Sequence, residues 1–443
     1  MKLAKKKLRP TRLRPKASKQ RPHKSFLREA PPPYRVHTED FFIDVVKTNG
    51  EKHGYNPSYE EKPFTDFASI DRETDLTTLN LNWREKDLPE VERTKHVHRL
   101  HPYLGKYIPQ LVEIFLRKFQ PETVYDPFAG SGTTFVEAQS LGIASVGCDV
   151  SAFNCLLAKV KTDFYNLAAL EREVRDILLR LNERLSKSLF CDAPFQAETD
   201  SAFLKKWFHP KALNQLLCFR DLISDYQYQD VFKIILSRSA RSARMTTHFD
   251  LDFPKHPQTE PYYCYKHSRT CSPTQDALGF LNRYALDTVD RIKEFSSLAK
   301  RAKVTILNQD ARFAKLPEFD LVITSPPYVG LIDYHEQHRY AYELLGLPFQ
   351  SEQEIGAAFK GSSQAAKRKY GEEIGQVIAN IRLHLSPRGR VVIVVNDKHS
   401  IYSEIMKLNG FCIEQRLKRH VNRRTGRRAG DFFEEILICR RYD

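Results

Sequence analysis

The sequence predicts an α/β fold, a seven-stranded sheet with a mainly helical insertion, and three observations carry that prediction. A short β-prone run, Thr123-Val-Tyr-Asp126, leads into a glycine-rich turn, a helix-compatible stretch from Phe135 to Leu141 and a second strand that closes on Asp149. Strand, turn, helix and strand in that order form the repeating unit of parallel sheets. Apolar runs at 320–324 and 390–395 have the length and continuity of buried strands. Between these groups the pattern changes to a helical period, as in Leu167, Leu170, Val174, Ile177, Leu178 and Leu181.

Taken in order, residues 1–30 are a basic tail. Residues 1–28 hold twelve Lys/Arg and no Asp/Glu, so they supply most of the formal charge of +15. Pro10, Pro15 and Pro22 interrupt any helix, and the composition predicts disorder. The tail has no apolar core for a secretory signal, and its prolines spoil the amphipathic face of a transit peptide. Non-specific phosphate binding and a solubilising arm are the two roles that suit it. Residues 31–94, polar and rich in turn formers with Trp83 near the end, read as an N-terminal extension wrapping the domain. Residues 95–165 form one half of the α/β domain, 166–300 the helical insertion, and 301–443 the other half. In that last part an amphipathic helix from about Glu372 to Leu385 precedes the strand Arg390–Val395, and Phe411–Arg419 with Phe432–Arg440 reads as a closing hairpin. Strands ending near Asp126, Asp149, Leu307, Ile323 and Val395, with that hairpin, make the seven.

The chain has 443 residues and 41% hydrophobic content, enough for a large core. No apolar run approaches the ~18 residues of a membrane span. Eight scattered cysteines without a Cys-x-x-Cys suit a reducing cytosol, so a cytoplasmic location is expected.

The turn after Asp126, Pro127-Phe128-Ala129-Gly130-Ser131-Gly132-Thr133-Thr134, excludes two familiar loops. A phosphate-cradling NTPase loop needs a lysine before its Ser/Thr, and none stands here. A dinucleotide fingerprint needs a third glycine where Phe135 stands. Asp149 follows Asp126 by 23 residues, near the ~20-residue offset at which an acid meets ribose hydroxyls. These features suit an adenosine ligand without a pyrophosphate, and S-adenosylmethionine fits that description.

Ser325-Pro326-Pro327-Tyr328 follows the apolar run Asp320–Thr324. Two prolines fix φ and remove two donors, leaving a rigid loop of carbonyl acceptors beside an aromatic ring. Such a cradle suits a planar amine, as on a nucleobase. Pro-Pro-Tyr also occurs in proline-rich ligands and ordinary turns, so its meaning depends on the unit upstream.

Taken together, these segments resemble the amino-methylating DNA methyltransferases, which make N4-methylcytosine or N6-methyladenine. Asp126-Pro-Phe-Ala-Gly-Ser-Gly-Thr133 is similar to their cofactor motif and Ser325–Tyr328 to their catalytic motif. His101-Pro102-Tyr103-Leu-Gly-Lys106-Tyr107 is similar to the segment that closes over the methionine end of the cofactor. The resemblance runs from about residue 95 to 440. It implies a doubly wound, Rossmann-like mixed sheet with S-adenosyl-L-methionine as cofactor. It also implies cofactor contacts at His101, Pro102, Tyr103, Lys106, Asp126, Pro127, Phe128, Gly130, Ser131, Gly132, Thr133, Asp149 and Asp310, the last toward the adenine amino group. Ser325, Pro326, Pro327 and Tyr328 are the implied catalytic residues. The amine would donate to the Ser325 side chain and the Pro326 carbonyl, which concentrates electron density on nitrogen for direct transfer. Tyr328 would stack on a flipped base. The motif holds no cysteine for C5 chemistry, and serine at its first position is associated in the family more with cytosine N4 than with adenine N6.

For nucleic acid, Arg238, Arg241 and Arg244 recur every three residues on one helical face, followed by Lys255, Tyr262, Tyr263, Tyr265, Lys266 and Arg269 in a loop-like stretch. Residues 200–300 are therefore the expected target-recognition region. A second basic cluster, Arg416 to Arg428 with Arg423, Arg424 and Arg427, suits a charged hairpin loop or a phosphate clamp. Cys264-Tyr-Lys-His267-Ser-Arg-Thr-Cys271 offers three metal donors, with His248 or His256 as a fourth; the spacing fits no standard site and no metal is expected. His335 and His338 read as helix-surface residues, or as contacts to the target base. DNA is the expected partner, with a cognate restriction endonuclease allowed by the resemblance. The rival readings are an RNA amino-methyltransferase acting on ribosomal or transfer RNA, an adenine-N6 enzyme, and a non-catalytic nucleic-acid binder on an inherited fold.

Overall fold

A computed structural model describes residues 63–190, 197–252, 254–397, 400–421 and 432–442, without the side chains of 187–190. The basic tail, the extension up to residue 62, and Arg423, Arg424 and Arg427 lie outside the described residues.

Seven strands form one sheet: β1 (Thr123–Asp126), β2 (Ala144–Cys148), β3 (Val304–Leu307), β4 (Phe319–Thr324), β5 (Leu385–Val395), β6 (Phe411–His420) and β7 (Phe433–Arg441). Their spatial order is β3-β2-β1-β4-β5-β7-β6. The first five run parallel, and the hairpin β6–β7 joins antiparallel through β7. This is a doubly wound mixed sheet. Strand order reverses between β1 and β4, so the loops leaving these two strands diverge and open a crevice at their carboxyl ends.

Alternation along β5 shows how the sheet is sealed on both sides. Val391, Ile393 and Val395 point to one face with Tyr125, Val322 and Leu437, and are covered by the helices Gln364–His384 and Ile401–Leu408. Val392 and Val394 point to the other, with Val124, Leu321, Ile323 and Ile436. The helix Pro109–Phe119 and a stretch containing Ile70, Leu76, Leu81 and Trp83 cover them there. Burying each such side chain is worth roughly 1.5–3 kcal/mol, which is why a run of five apolar residues settles in the middle of the sheet.

The insertion is helical, with Leu167–Phe190, Ala202–Trp207, Pro210–Leu222, Gln229–Ala243 and Leu278–Ser296. These helices share one core with Phe153 and Leu157, on the helix that follows β2, and with Tyr340 and Leu344, on the helix Arg339–Leu345. Between Ala243 and Leu278 the chain forms a small antiparallel hairpin, Tyr262–Cys264 with Arg269–Cys271. The sequence suggests a loop there, because three-residue strands are too short to display a period. Among the described residues no helix is long and apolar enough to cross a membrane.

Candidate active site

The crevice between β1 and β4 widens into a cleft of about 820 Å³, walled by residues from both halves of the domain. Beneath it lies Asp126. Its Oδ2 accepts from the hydroxyls of Tyr107 at 2.8 Å and Thr134 at 2.6 Å, and its Oδ1 accepts from Thr324 Oγ1 at 2.8 Å and Phe128 N at 3.1 Å. An ionised carboxylate has about four acceptor positions, and all four are occupied by the protein. Asp126 therefore does not line the cleft, which corrects its expected role as a cofactor contact. It ties the turn after β1 to the last residue of β4, directly before Ser325.

The turn itself is built on left-handed glycines. Gly130 (φ +49°) passes beneath the Tyr103 hydroxyl, 3.1 Å from where a Cβ would stand. Gly132 (φ +78°) starts the helix Thr133–Leu141, and a Cβ there would lie 2.8 Å from Ala158 Cβ. Lys161, buried, donates to Ser131 O at 2.6 Å, and burial pushes its ammonium well below the ordinary lysine range. Pro127, Phe128, Gly130, Ser131 and Thr133 all face the cleft. The buried hydroxyls of Ser131 and Thr133 have no hydrogen-bond partner among the described residues.

Asp149 closes the adjacent wall. Its Oδ2 accepts from Gly130 N at 2.8 Å, and its Oδ1 from Ser151 N at 2.8 Å and Asn154 Nδ2 at 3.1 Å. Burial pushes its carboxyl up to about 6, against those three donors, and one acceptor position on Oδ2 stays open. Asp310 lines the far end beside Gln309, with its carboxylate clamped by the Arg312 guanidinium.

The 101–107 segment divides. Tyr103 and Lys106 face the cleft, with the Tyr103 ring stacked between Tyr334 and His338 at centroid distances of 5.8 and 5.6 Å. Lys106 Nζ donates to His98 O at 2.8 Å, and burial, with Arg99 nearby, lowers its ammonium to about 8. His101 is buried away from the cleft against Phe153, its Nε2 3.1 Å from Ser237 Oγ, and Pro102 is exposed outside it. These two are corrections: the packing of 101 and 102 supports the segment without touching the cleft.

Ser325 and Pro327 reach the same cleft. Tyr370 donates its hydroxyl to Pro327 O at 2.8 Å, which anchors the loop on the helix Gln364–His384. Pro326, buried, and Tyr328, half-buried, do not line the cleft; Tyr328 lies beside Phe432, where the β6–β7 loop enters β7, with ring centroids 6.4 Å apart.

The expected nucleic-acid arginines are a clear correction. Arg238 is buried, paired with Asp287 and stacked 4.2 Å over the Tyr284 ring. Arg241 is paired with Asp252; Arg244, buried, donates to Leu251 O at 2.6 Å and lies 4.6 Å over Tyr340. A three-residue repeat marks one helical face, but this face turns inward, where two of its charges are ion-paired and the third is held by a carbonyl and an aromatic ring. Lys266 and Arg269 remain exposed on the small hairpin. His335 and His338 are also buried, rather than on a helix surface; Glu354 holds His335 Nδ1, and His338 Nδ1 lies 3.1 Å from Tyr334 O.

Asn154, Lys161, Tyr334 and Glu354 escaped sequence reasoning. Asn154, Ala158 and Lys161 lie at i, i+4 and i+7 of the helix Ala152–Thr162, so polar residues recurring on its buried face were the available signal.

A family profile described as DNA methylase matches residues 34–160. The type II methyltransferase M.MjaII of Methanocaldococcus jannaschii is 38% identical over 430 residues, covering 79% of this chain and 81% of the relative. M.MvaI of Kocuria varians is 25% identical over 276 residues, covering 58% of this chain and 59% of the relative. M.BsoBI of Geobacillus stearothermophilus is 25% identical over 300 residues, with 61% and 56% covered.

Proposed function

Because the chain belongs to the family of DNA amino-methyltransferases, with S-adenosylmethionine as cofactor, we propose that it methylates cytosine N4 in DNA, on a base flipped from its duplex. The observation that carries this reading is that the Ser325–Pro327 loop opens into the same cleft as the Gly130–Thr133 turn, Asp149 and Asp310. A target amine and a methyl donor can thus meet inside one cleft.

The residues present fit the cofactor. The unpartnered hydroxyls of Ser131 and Thr133 and the open acceptor on Asp149 offer hydrogen bonds to its polar groups, and Lys106 supplies a cation for its carboxylate. The turn and the start of the helix Thr133–Leu141 favour a negative charge at the same end. When bound, S-adenosylmethionine supplies an electrophilic sulfonium methyl. Ser325 Oγ and the Pro326 carbonyl accept the two protons of the amine and favour a pyramidal nitrogen, whose lone pair then points out of the ring plane. Tyr328 holds the extruded base by stacking. Tyr370 fixes the loop through Pro327, leaving the Pro326 carbonyl for the base. Asp126 holds both loops at constant separation, so orientation is set before either ligand arrives.

Relatives that are type II methyltransferases favour a cognate restriction endonuclease as partner. Lys266 and Arg269 supply the phosphate contacts of the insertion in this reading.

The test is incubation with methyl-labelled S-adenosylmethionine and unmethylated DNA, in parallel with total RNA, followed by digestion and nucleoside separation. N4-methylcytosine in DNA is expected. N6-methyladenine would overturn the choice of base, and label confined to RNA would overturn the choice of polymer.

A further inference from the structure

Outside the cleft, four side chains of zinc-binding type converge at the small hairpin of the insertion. His248, Cys264, His267 and Cys271 each bring one donor atom, and all four atoms lie within 4.8 Å of one another. Cys264 Sγ is 3.6 Å from His248 Nδ1 and 3.6 Å from His267 Nδ1, and Cys271 Sγ is 3.5 Å from His267 Nδ1.

Those distances have a direct reading. Zinc binds thiolate sulfur at about 2.3 Å and imidazole nitrogen at about 2.0–2.1 Å, so tetrahedral angles place sulfur and nitrogen donors about 3.5 Å apart. These three sulfur–nitrogen distances match that figure. A hydrogen-bonded alternative would place both sulfur contacts of His267 on the same ring nitrogen, which has a single lone pair or a single proton to offer them. Both cysteines are free thiols. Both are also buried, yet neither belongs to a hydrophobic cluster among the described residues.

We propose that His248, Cys264, His267 and Cys271 bind one structural zinc ion that holds the hairpin together. The ligand set closes all four tetrahedral positions, as in structural rather than catalytic sites, and its two thiolates select zinc over harder cations. Binding releases the two thiol protons and leaves a site of zero net charge. Cys264-x₂-His267-x₃-Cys271 matches no standard motif because the fourth donor comes from His248, beyond the first strand of the hairpin.

The hairpin needs such a staple. Its strands have three residues each, below the size at which an isolated pair holds together in water, and they are the only regular structure between Ala243 and Leu278 among the described residues. The structure nevertheless exposes Tyr263 and Tyr265 there, beside Lys266 and Arg269. A metal beneath the tip offsets the cost of presenting aromatic and basic side chains to solvent. The other metal-type cluster among the described residues, His96, His98 and Glu137, offers one donor fewer, and its carboxylate is already engaged by Lys95 and His98.

Metal content tests this independently of methylation. Full-length protein, reduced and stripped with a chelator, is titrated with Zn²⁺ against a chromophoric competitor and separately with Co²⁺. One tight equivalent of zinc is expected, with cobalt giving the visible absorption of a tetrahedral ion and a near-ultraviolet thiolate charge-transfer band. Cys264→Ser and Cys271→Ser should each weaken zinc binding at least tenfold and diminish the charge-transfer band, with S-adenosylmethionine binding measured on each variant to report folding. Two outcomes overturn the proposal: a parent protein without tight zinc or thiolate–cobalt absorption, or zinc that survives both substitutions.

Discussion

Asp126→Asn is nearly isosteric, yet it should damage both halves of the active site. The carboxylate accepts four hydrogen bonds from Tyr107, Thr134, Thr324 and Phe128 N. An amide keeps one oxygen and turns two donors toward the remaining partners. If the oxygen stays with Thr324 and Phe128, the NH₂ faces two hydroxyls that already contact each other, and at least one donor loses its acceptor. Each buried polar group left without a partner costs about 1–3 kcal/mol, so a total loss of about 2–4 kcal/mol is expected. Urea unfolding of the apo protein should show it as a lowered midpoint. Calorimetric titration with S-adenosylmethionine and single-turnover methylation should both weaken, because one carboxylate positions the cofactor turn and the loop that begins at Ser325. Thr324→Val removes only the link to that loop, so it should lower the single-turnover rate with little change in cofactor affinity. An Asp126→Asn protein with an unchanged midpoint and an undiminished rate would refute the reasoning.

Tyr328→Ala should raise the KM for DNA by the roughly 1–3 kcal/mol of base stacking while cofactor affinity holds, and Tyr328→Phe should stay near the parent; equal KM in all three proteins rules out a stacking role. For Asp149, burial raises the folded pKa to about 6, so its contribution to stability is present below the ordinary carboxylate range and lost as pH rises through about 6. Cofactor binding runs the other way, because the ribose needs an ionised acceptor. Affinity should fall about tenfold between pH 7 and pH 5, and a flat calorimetric profile would contradict that assignment. Gly130→Ala puts an L-residue at φ +49° beneath Tyr103 and should cost about 1–2 kcal/mol, read as roughly five- to thirtyfold weaker cofactor binding. Deleting residues 2–28, with their twelve cations, should flatten the salt dependence of DNA binding, and an unchanged slope would mean that the tail does not touch phosphate.

The sheet was legible because continuous apolar runs such as Val391–Val395 have few alternatives to burial in a central strand. The cleft was legible in part, since glycines and prolines announce unusual backbone wherever they stand. Charged residues were harder to place. Arg238 and Lys266 carry the same formal charge, and only the fold brings Asp287 and Tyr284 to the first and leaves the second exposed. Asp126 was recognised as a motif residue, but its surroundings depend on Tyr107 and Thr324, which approach from opposite directions in the chain. The donors of the hairpin cluster could all be named from the sequence, but the choice of His248 over His256 as the fourth depends on a reversal of the chain.

The core shared by the insertion and its neighbours bears on how recognition could be re-engineered. Phe153 and Leu157, on the helix that carries Asn154 to Asp149, and Tyr340 and Leu344, beyond the Ser325–Pro327 loop, are buried against the insertion's helices. Exchanging residues 166–300 for those of a relative with a different target would uncover these four side chains unless the donor supplied a matching surface. At roughly 1.5–3 kcal/mol each, the loss is about 6–12 kcal/mol, comparable with the whole stability of an ordinary domain. On the reading that residues 166–300 recognise the target, sequence preference in this scaffold cannot be traded as a cassette: a workable chimera has to bring the facing helices along with the insert.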